Sequence, residues 1–427
     1  MTDPNGTSPR AFLFLQGPTN YLFAEVARQL RAQGHRAFRI NLCLGDQIFW
    51  RGPGVTSFRG RFDDWPGFLS CFYTDHAITD VVLLGEQRLY HQVAIELAHT
   101  RGIDVAVTDF GYLRPDWVIL ERDGLNARSR FTRDPAALLQ EASALPAIGR
   151  SVRYPHHALN QALWDMTFHL SSALWPWGYP HYRRHTLRHP VLTYLATGWR
   201  LSRGVIEKRQ AAATLRRLAA AAGYYLFAMQ MEDDYSLRAY SHYADLDQAM
   251  AEVMHSFAGH ARPDAALLFK IHPLDPGFKA WRRRIDTMAR AVGIAERVLF
   301  IDGGDLDALI LASNGVLTVN STAGLRSLEL LRPTLALGQA IYRVDGLAFN
   351  GPLDAFWSQA QAPDAALVDA WLRLLAASLH VRGGMYDQAA INAAASGIAW
   401  RLHYRQVNQP LRQVLLGEPL RIPDAAE

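Results

Sequence analysis

The sequence predicts an α/β protein made of two Rossmann-like lobes, each built on a parallel sheet, facing a central cleft. Three observations carry this. Short apolar runs alternate with amphipathic helical patterns in two separate stretches, which is the pattern of repeated βαβ units. Between these stretches, residues 151–220 are helical, aromatic and then basic, and the alternation stops. Finally, 427 residues are more than one hydrophobic core holds, since single cores rarely grow past about 250–300 residues.

The first lobe is expected over residues 1–150. Its first strand, 11–15, ends in Gln16-Gly17-Pro18, and a helix follows from Tyr21, capped by Asn20, with Leu22, Phe23, Val26, Ala27 and Leu30 on one face. A second strand, 37–42, runs into a loop at Gly45-Asp46. A third, 81–84, leads to Gly85-Glu86 and a helix carrying Val93, Ala94 and Leu97. A fourth, 105–107, runs into Asp109-Phe110-Gly111-Tyr112. Ligands of such sheets collect beyond the carboxyl ends of the strands, where Gly17, Asp46, Glu86 and Asp109 all fall. Gly17 and Asp46 are candidates for sugar or acceptor binding, Glu86 and Asp109 for catalysis, together with His272 of the second lobe.

Residues 151–220 read as a helical, basic insert or bridge, broken by the Pro- and Gly-punctuated WPWGYPHYRRH at 175–185. The alternation resumes over 221–350, with strands at 224–229, 267–271, 298–301, 316–319 and 334–337 and helices at 246–258 and 305–313 among them. After Pro363 come helices at 365–379 and 388–404, so 351–427 is expected to pack back across the lobes. Two Rossmann-like lobes on a cleft is the GT-B architecture of many glycosyltransferases.

Composition sets bounds. With 49% hydrophobic and 20% charged residues, the chain is an ordinary globular protein. Cys43 and Cys71 have neither metal-ligand spacing nor a disulfide framework, which fits a reducing cytoplasm. The polar start MTDPNGTSPR lacks the apolar core of a signal peptide. No run approaches the roughly 18–20 apolar residues that span a bilayer, so a soluble or peripherally attached protein is expected. The net charge of +4 is uneven. Arg183, Arg184, Arg188, Arg200, Arg203, Lys208, Arg209, Arg216 and Arg217 crowd a stretch whose one acid is Glu207. That cluster suits anionic lipid or a polyanionic glycan, and equally a solvated helix face. No nucleic-acid motif with interleaved aromatics is present, so no nucleic-acid partner is expected.

In the second lobe, the apolar run 316–319 delivers Asn320-Ser321-Thr322 to an amphipathic segment bearing Leu325, Leu328 and Leu331. The first turn of a helix leaves N–H groups without partners, and its dipole favours anions. Ser321 and Thr322 add hydroxyl donors, and Gly324 would let a phosphate or sugar approach the backbone. The same residues also make an ordinary N-cap. Earlier in this lobe, KIHPLD puts His272 at a strand end, where it can donate to a phosphate, with Pro273 fixing the turn and Lys270 sharing the anion. His272 alone is as readily a structural loop residue. Two anion-type sites in one lobe point to a nucleotide-phosphate pocket.

Gln230, Glu232, Asp233 and Asp234 follow the strand YYLFAM and can orient sugar hydroxyls or cap the next segment. Adjacent acids in a loop cannot all turn to one ion, so no obligatory metal is expected. In DFGYLR, Asp109 can act as nucleophile or base in transfer at a sugar carbon. Arg114 can hold it ionised or grip the carboxylate of an acidic sugar. Alternatively, Asp109 simply hydrogen-bonds backbone in a turn.

FLQGPTNYLFAEVARQLRAQGHRAFRINLCLGDQIFW, ITDVVLLGEQRLYHQVAIELA, GYLRPDWVILERDGLN, YPHYRRH, QMEDDYSL, KIHPLD and NSTAGLRSLELLRPTLALGQAIY occur in that order. In these segments the chain resembles the bacterial capsule polysaccharide biosynthesis proteins of the KpsS/LipB type, over nearly its whole length to about residue 345. The resemblance implies a GT-B β-Kdo transferase that uses CMP-Kdo without a cofactor. It implies a linker built on a phosphatidylglycerol-type lipid at the inner face of the inner membrane, among other capsule assembly proteins. It further implies that His272, Ser321 and Thr322 bind the CMP phosphate, and that retaining transfer uses a carboxylate of an acidic-acidic-Gly-aromatic motif. Here that motif reads Asp109-Phe110-Gly111-Tyr112, so only its first acid is kept. Asp109, Glu86 or Asp233 then takes the role, or the chain is a non-catalytic assembly or binding protein. A nucleotide-sugar epimerase or hydrolase is a further alternative.

Overall fold

The computed structural model describes residues 8–422 except 51, 150, 156, 185–187, 203 and 233. In chain order the strands are β1 (Ala11–Phe14), β2 (Arg36–Asn41), β3 (Val55–Ser57), β4 (Asp80–Leu84), β5 (Asp104–Phe110), β6 (Trp117–Arg122), β7 (Tyr224–Ala228), β8 (Ala266–Lys270), β9 (Val298–Ile301), β10 (Gly315–Thr318), β11 (Thr334–Ala336) and β12 (His380–Arg382). They form two sheets, one in each of two compact units. The first unit comprises Met1–Phe131, Glu141–His185 and Leu372–Glu427, the second Thr132–Gln140 and Thr186–Trp371.

The first sheet has the order β12-β6-β5-β4-β1-β2-β3. Strands β1 to β5 pair in parallel. The expectation of a purely parallel sheet is corrected at its other end. β6 runs antiparallel to β5, with Asp109 opposite Ile119 and Phe110 opposite Val118, and β12 runs antiparallel to β6. The link from Phe110 to Trp117 is far shorter than the dozen or so residues a parallel crossover needs, so the apolar run WVIL must fold back as a hairpin. One face of this sheet packs Phe12, Phe14, Val82, Ala106, Leu120 and Val381 against the Leu22–Ala32 and Gln388–His403 helices. On the other, Trp65 donates to the Tyr90 carbonyl at 3.0 Å and Tyr73 to that of Ala94 at 3.0 Å. Those contacts turn Tyr90, Ala94, Ile95 and Ala98 of the Leu89–Thr100 helix inward and leave Val93 and Leu97 half-buried.

The second sheet, β11-β10-β7-β8-β9, is parallel throughout. Its strands are apolar on both faces, as a sheet covered on both sides requires. Tyr225, Phe227, Leu267 and Phe269 face the Leu246–His260 and Trp281–Val292 helices. Leu226, Leu268 and Leu299 face Ala211 and Leu218 of the Gly204–Ala219 helix. The stretch 151–220 is divided: the Ala158–Leu174 helix belongs to the first unit, and the Pro190–Ser202 and Gly204–Ala219 helices belong to the second.

Candidate functional site

In the second unit, the ends of β8 and β10, on either side of β7, carry the predicted anion-binding residues. β8 ends in Lys270, whose stem is buried and whose ammonium pKa is lowered by that burial. Past it, His272 Nδ1 accepts the Leu274 N–H at 3.1 Å. In the neutral imidazole this leaves the proton on Nε2, as a phosphate donor needs. The turn is clamped from outside. Arg200 of the Pro190–Ser202 helix donates to the carbonyls of Pro273 at 2.8 Å and Asp275 at 2.5 Å, and grips Asp302 at 2.5 and 3.2 Å. Asp275 in turn accepts from Gly277 N at 2.7 Å and Trp281 Nε1 at 3.1 Å. Sequence reasoning placed Arg200 in a lipid-attracting cluster. That is corrected, because the guanidinium is already spent on one carboxylate and two carbonyls. Its signal in the sequence was weak: an arginine closing a helix of no obvious function.

At the end of β10, Ser321 caps the Thr322–Glu329 helix, its Oγ accepting the Ala323 N–H at 3.2 Å. Ser321, Thr322 and His272 are all half-exposed and stand on one edge of one sheet. The strands that precede His272 and Ser321, β8 and β10, are two steps apart in the sheet, about 10 Å at roughly 4.8 Å per step.

Other predicted residues have structural duties. Gly324 was expected to face a ligand. It is buried against Tyr342, whose hydroxyl lies 2.2 Å from where a Cβ would sit and donates to the Ser321 carbonyl at 2.8 Å. Gln230 and Asn320 spend their amides on each other. Gln230 Nε2 donates to Asn320 Oδ1 at 2.9 Å, Asn320 N donates to Gln230 Oε1 at 3.2 Å, and Asn320 Nδ2 donates to the Ser236 carbonyl at 2.6 Å. They tie the ends of β7 and β10 together. Glu232 is ion-paired with Lys279, which also meets Asp247 at 2.6 Å. Asp234 is an N-cap, accepting from Ser236 N at 2.9 Å. Asp233 lies outside the described residues.

In the first unit the candidate residues again gather at the carboxyl edge, but differently from expectation. Gly45-Asp46 is part of the Leu44–Phe49 helix. Asp46 is buried, paired with Arg39 at 2.7 Å and accepting from Leu42 N at 3.0 Å and Gln16 Nε2 at 3.2 Å. Buried and engaged by three donors, this carboxylate holds the fold and does not present itself to a sugar hydroxyl. Gly17 backs onto the Phe23 ring, 2.5 Å from where a Cβ would stand. Asp109 does not follow a strand but lies inside β5, accepting from Phe110 N at 2.7 Å.

Glu86, just beyond β4, is buried, and desolvation together with the nearby Asp109 charge pushes its carboxyl up to about 7. Sequence reasoning missed Glu121. Strand register places it on the Asp109 face, opposite Val107. Burial pushes it up to about 8, with the Glu86 charge adding to the rise, and Tyr112 and Ser129 hydrogen-bond it. An acid closing the apolar run WVIL was the available signal. Phe110 faces the other way, its ring stacked on Tyr386 at 5.9 Å and under the Arg114 guanidinium at 5.7 Å, while Arg114 Nε donates to the Gly111 carbonyl at 3.4 Å.

Among the described residues no group of three or more His, Cys, Asp or Glu is placed to hold a metal ion, and no helix is long and apolar enough to cross a membrane.

Comparison with known proteins gives four findings. The family model described as capsule polysaccharide biosynthesis protein matches residues 79–386. The chain is 28% identical over 366 residues to the capsule polysaccharide export protein KpsS of Escherichia coli, covering 84% of this chain and 92% of that protein. It is 28% identical over 393 residues to the capsule polysaccharide modification protein LipB of Neisseria meningitidis serogroup B, covering 89% and 93%. Among solved structures it is similar to Thermosulfurimonas dismutans KpsC, a beta Kdo 2,7 transferase, with TM-score 0.43, 13% identity, and coverage of 88% of this chain and 94% of that one.

Proposed function

The chain belongs to the capsule polysaccharide biosynthesis protein family, matched over residues 79–386, and from that premise we propose that it is a glycosyltransferase of capsule assembly. It transfers Kdo, or a related acidic sugar, from a CMP-activated donor to a lipid or Kdo-lipid acceptor of the phosphatidylglycerol type, working with other capsule assembly proteins at the inner face of the inner membrane. The observation that carries this reading is the edge of the second sheet. There Lys270, His272 and the helix start at Ser321-Thr322 lie at the ends of β8 and β10 on one edge of one sheet, and in this reading they bind one phosphate. Fixed donors of this kind stabilise the charge that grows on a departing nucleotide phosphate.

In the first unit we assign the carboxylate chemistry to Asp109 and Glu86. A carboxyl held at about 7 is half-protonated near neutral pH and so serves as acid or base there. The test is His272→Ala. The variant keeps the fold, loses transfer, and binds CMP at least tenfold more weakly, as removal of one charged hydrogen bond of about 1.5–3 kcal/mol predicts. Undiminished turnover and CMP affinity would remove the phosphate site.

A second reading is favoured by Phe110, which fills the position of the family's second acid and packs on Tyr386. In that reading the chain is an assembly or binding protein without transferase activity. Phe110→Glu separates the two: activity appearing only in the variant supports the binding protein, and activity already present in the parent chain rules it out.

A further inference from the structure

The Ala158–Leu174 helix of the first unit has two unlike faces. Its inner face is anchored: Phe168 is buried with Cys43 and Phe49, Ser172 Oγ accepts the Gly45 N–H at 2.9 Å, Asn160 donates to the Tyr386 carbonyl at 2.9 Å, and Asp165 accepts from Thr19. Among the described residues its outer face has no such partners. Leu159, Leu163 and Met166 follow one another at helical spacing and are exposed, Leu159 to 81%, and half-buried Leu170 continues the row to exposed Leu174. No exposed residue of the helix is charged. The stripe runs straight into Trp175 and Trp177, also exposed and set edge to face at 5.6 Å. A solvated helix normally turns charged and polar side chains outward, and a continuous apolar stripe of this length marks a docking face.

We propose that this stripe lies flat on a phospholipid bilayer bearing anionic headgroups, with the two tryptophans at the headgroup boundary. Three features select a bilayer as the occupant. Indole rings, with an apolar body and one N–H, favour the boundary between hydrocarbon and headgroup. The exposed Arg183 and Arg184, shortly after the tryptophans, are complementary to anionic headgroups. A helix of 17 residues held by its inner face presents a line about 25 Å long, which suits insertion parallel to a surface. The exposed arginines of the Gly204–Ala219 helix, Arg209, Arg216 and Arg217, form a solvated helix face and are not needed for this docking. The inference rests on the lipid-acceptor reading for its purpose in transfer, while the binding is measured with neither donor nor acceptor.

The experiment is flotation of the full chain with vesicles of phosphatidylcholine alone and of phosphatidylcholine with about one third phosphatidylglycerol. The parent protein partitions onto the mixed vesicles and less onto the neutral ones. Leu163→Glu/Trp177→Glu lowers partitioning at least tenfold at an unchanged urea midpoint. Arg183→Gln/Arg184→Gln abolishes the preference for the anionic vesicles and keeps the residual binding to neutral ones. The proposal is overturned if the parent protein floats with neither vesicle, or if the double glutamate variant floats as the parent does. It is equally overturned if those glutamates convert a dimer to a monomer without changing flotation, since the stripe then joins two copies of the chain. Vesicle binding that responds to the stripe, in a protein that transfers no sugar to lipid, leaves the surface standing and removes only the acceptor reading.

Discussion

Replacing Arg200 by alanine should damage the phosphate site without touching any residue assigned to it. The guanidinium makes a fork with Asp302 and two bonds to the carbonyls of Pro273 and Asp275, which flank the turn that aims His272. The ion-paired side chains are 15% and 16% exposed. The pair therefore lies between a surface bridge, worth about 0–1 kcal/mol, and a buried one, whose rupture costs about 3–5 kcal/mol. About 2–3 kcal/mol of lost stability follows for Arg200→Ala, readable as a lowered urea midpoint. CMP affinity, read by calorimetry, should fall about tenfold, the equivalent of roughly 1.4 kcal/mol, because the loosened turn no longer holds Nε2–H in place. Arg200→Lys should recover part of the stability and little of the affinity, since a point-like ammonium cannot serve one carboxylate and two carbonyls together. In a His272→Ala background the Arg200 substitution should cost no further affinity. Unchanged CMP binding by Arg200→Ala, at reduced stability, would refute the idea that the clamp works through His272.

The first unit gives two more predictions. Burial, with the Asp109 charge adding to it, pushes the Glu86 carboxyl up to about 7 from the ordinary 4.5. Below about pH 4.5 both folded and unfolded states carry the proton, and the raised value costs nothing. Between 4.5 and 7 the unfolded chain ionises first, so stability falls as pH rises, levelling above about 7 at a loss on the order of 3 kcal/mol. Glu86→Gln should remove this component, so its urea midpoint should gain on the parent's between pH 5 and pH 8; parallel profiles would show that Glu86 is not held protonated. At the buried Arg39–Asp46 pair, Arg39→Met should cost about 3–5 kcal/mol by stranding a charge, and adding Asp46→Leu should recover most of that loss. Thermal unfolding of both variants decides it, and equal losses would mean that Asp46 finds another partner.

Much of this fold can be read from the chain because apolar runs and caps are local signals. The Ala365–Leu379 helix has the bounds its sequence pattern gives, and β9 likewise. The strand ends bearing Lys270 and Ser321 were readable because each closes an apolar run. What escaped depends on partners distant in sequence. β12 is three residues between helices, and only its pairing with β6 makes it a strand. Gly324 looks like a ligand contact until Tyr342, well down the chain, proves to occupy the space beside it. Arg200 and Asp46 are charged residues whose partners come from other elements, and no spacing rule announces them.

The pleat of β5 bears directly on the altered acidic motif. Residues 109 and 110 point to opposite faces of the sheet because side chains alternate along a strand. Phe110 faces Tyr386 and the Gln388–His403 side, while Asp109 shares its face with Val107 and Glu121. For Asp109 to take over from residue 110, β5 would have to slip by one position. That slip would drive Val105 and Val107, now buried on one face, onto the other, and would break the pairing with both β4 and β6. Such a cost excludes a shifted backbone as the route to activity. Asp109 therefore works from its own face, in company with Glu86, or not at all. Asp109→Asn in the parent chain and in Phe110→Glu should then differ: it should abolish transfer in the first and spare any activity that the new carboxylate supplies from the opposite face in the second. Equal loss in both would mean that the two faces serve one reaction, against the separation argued from the strand.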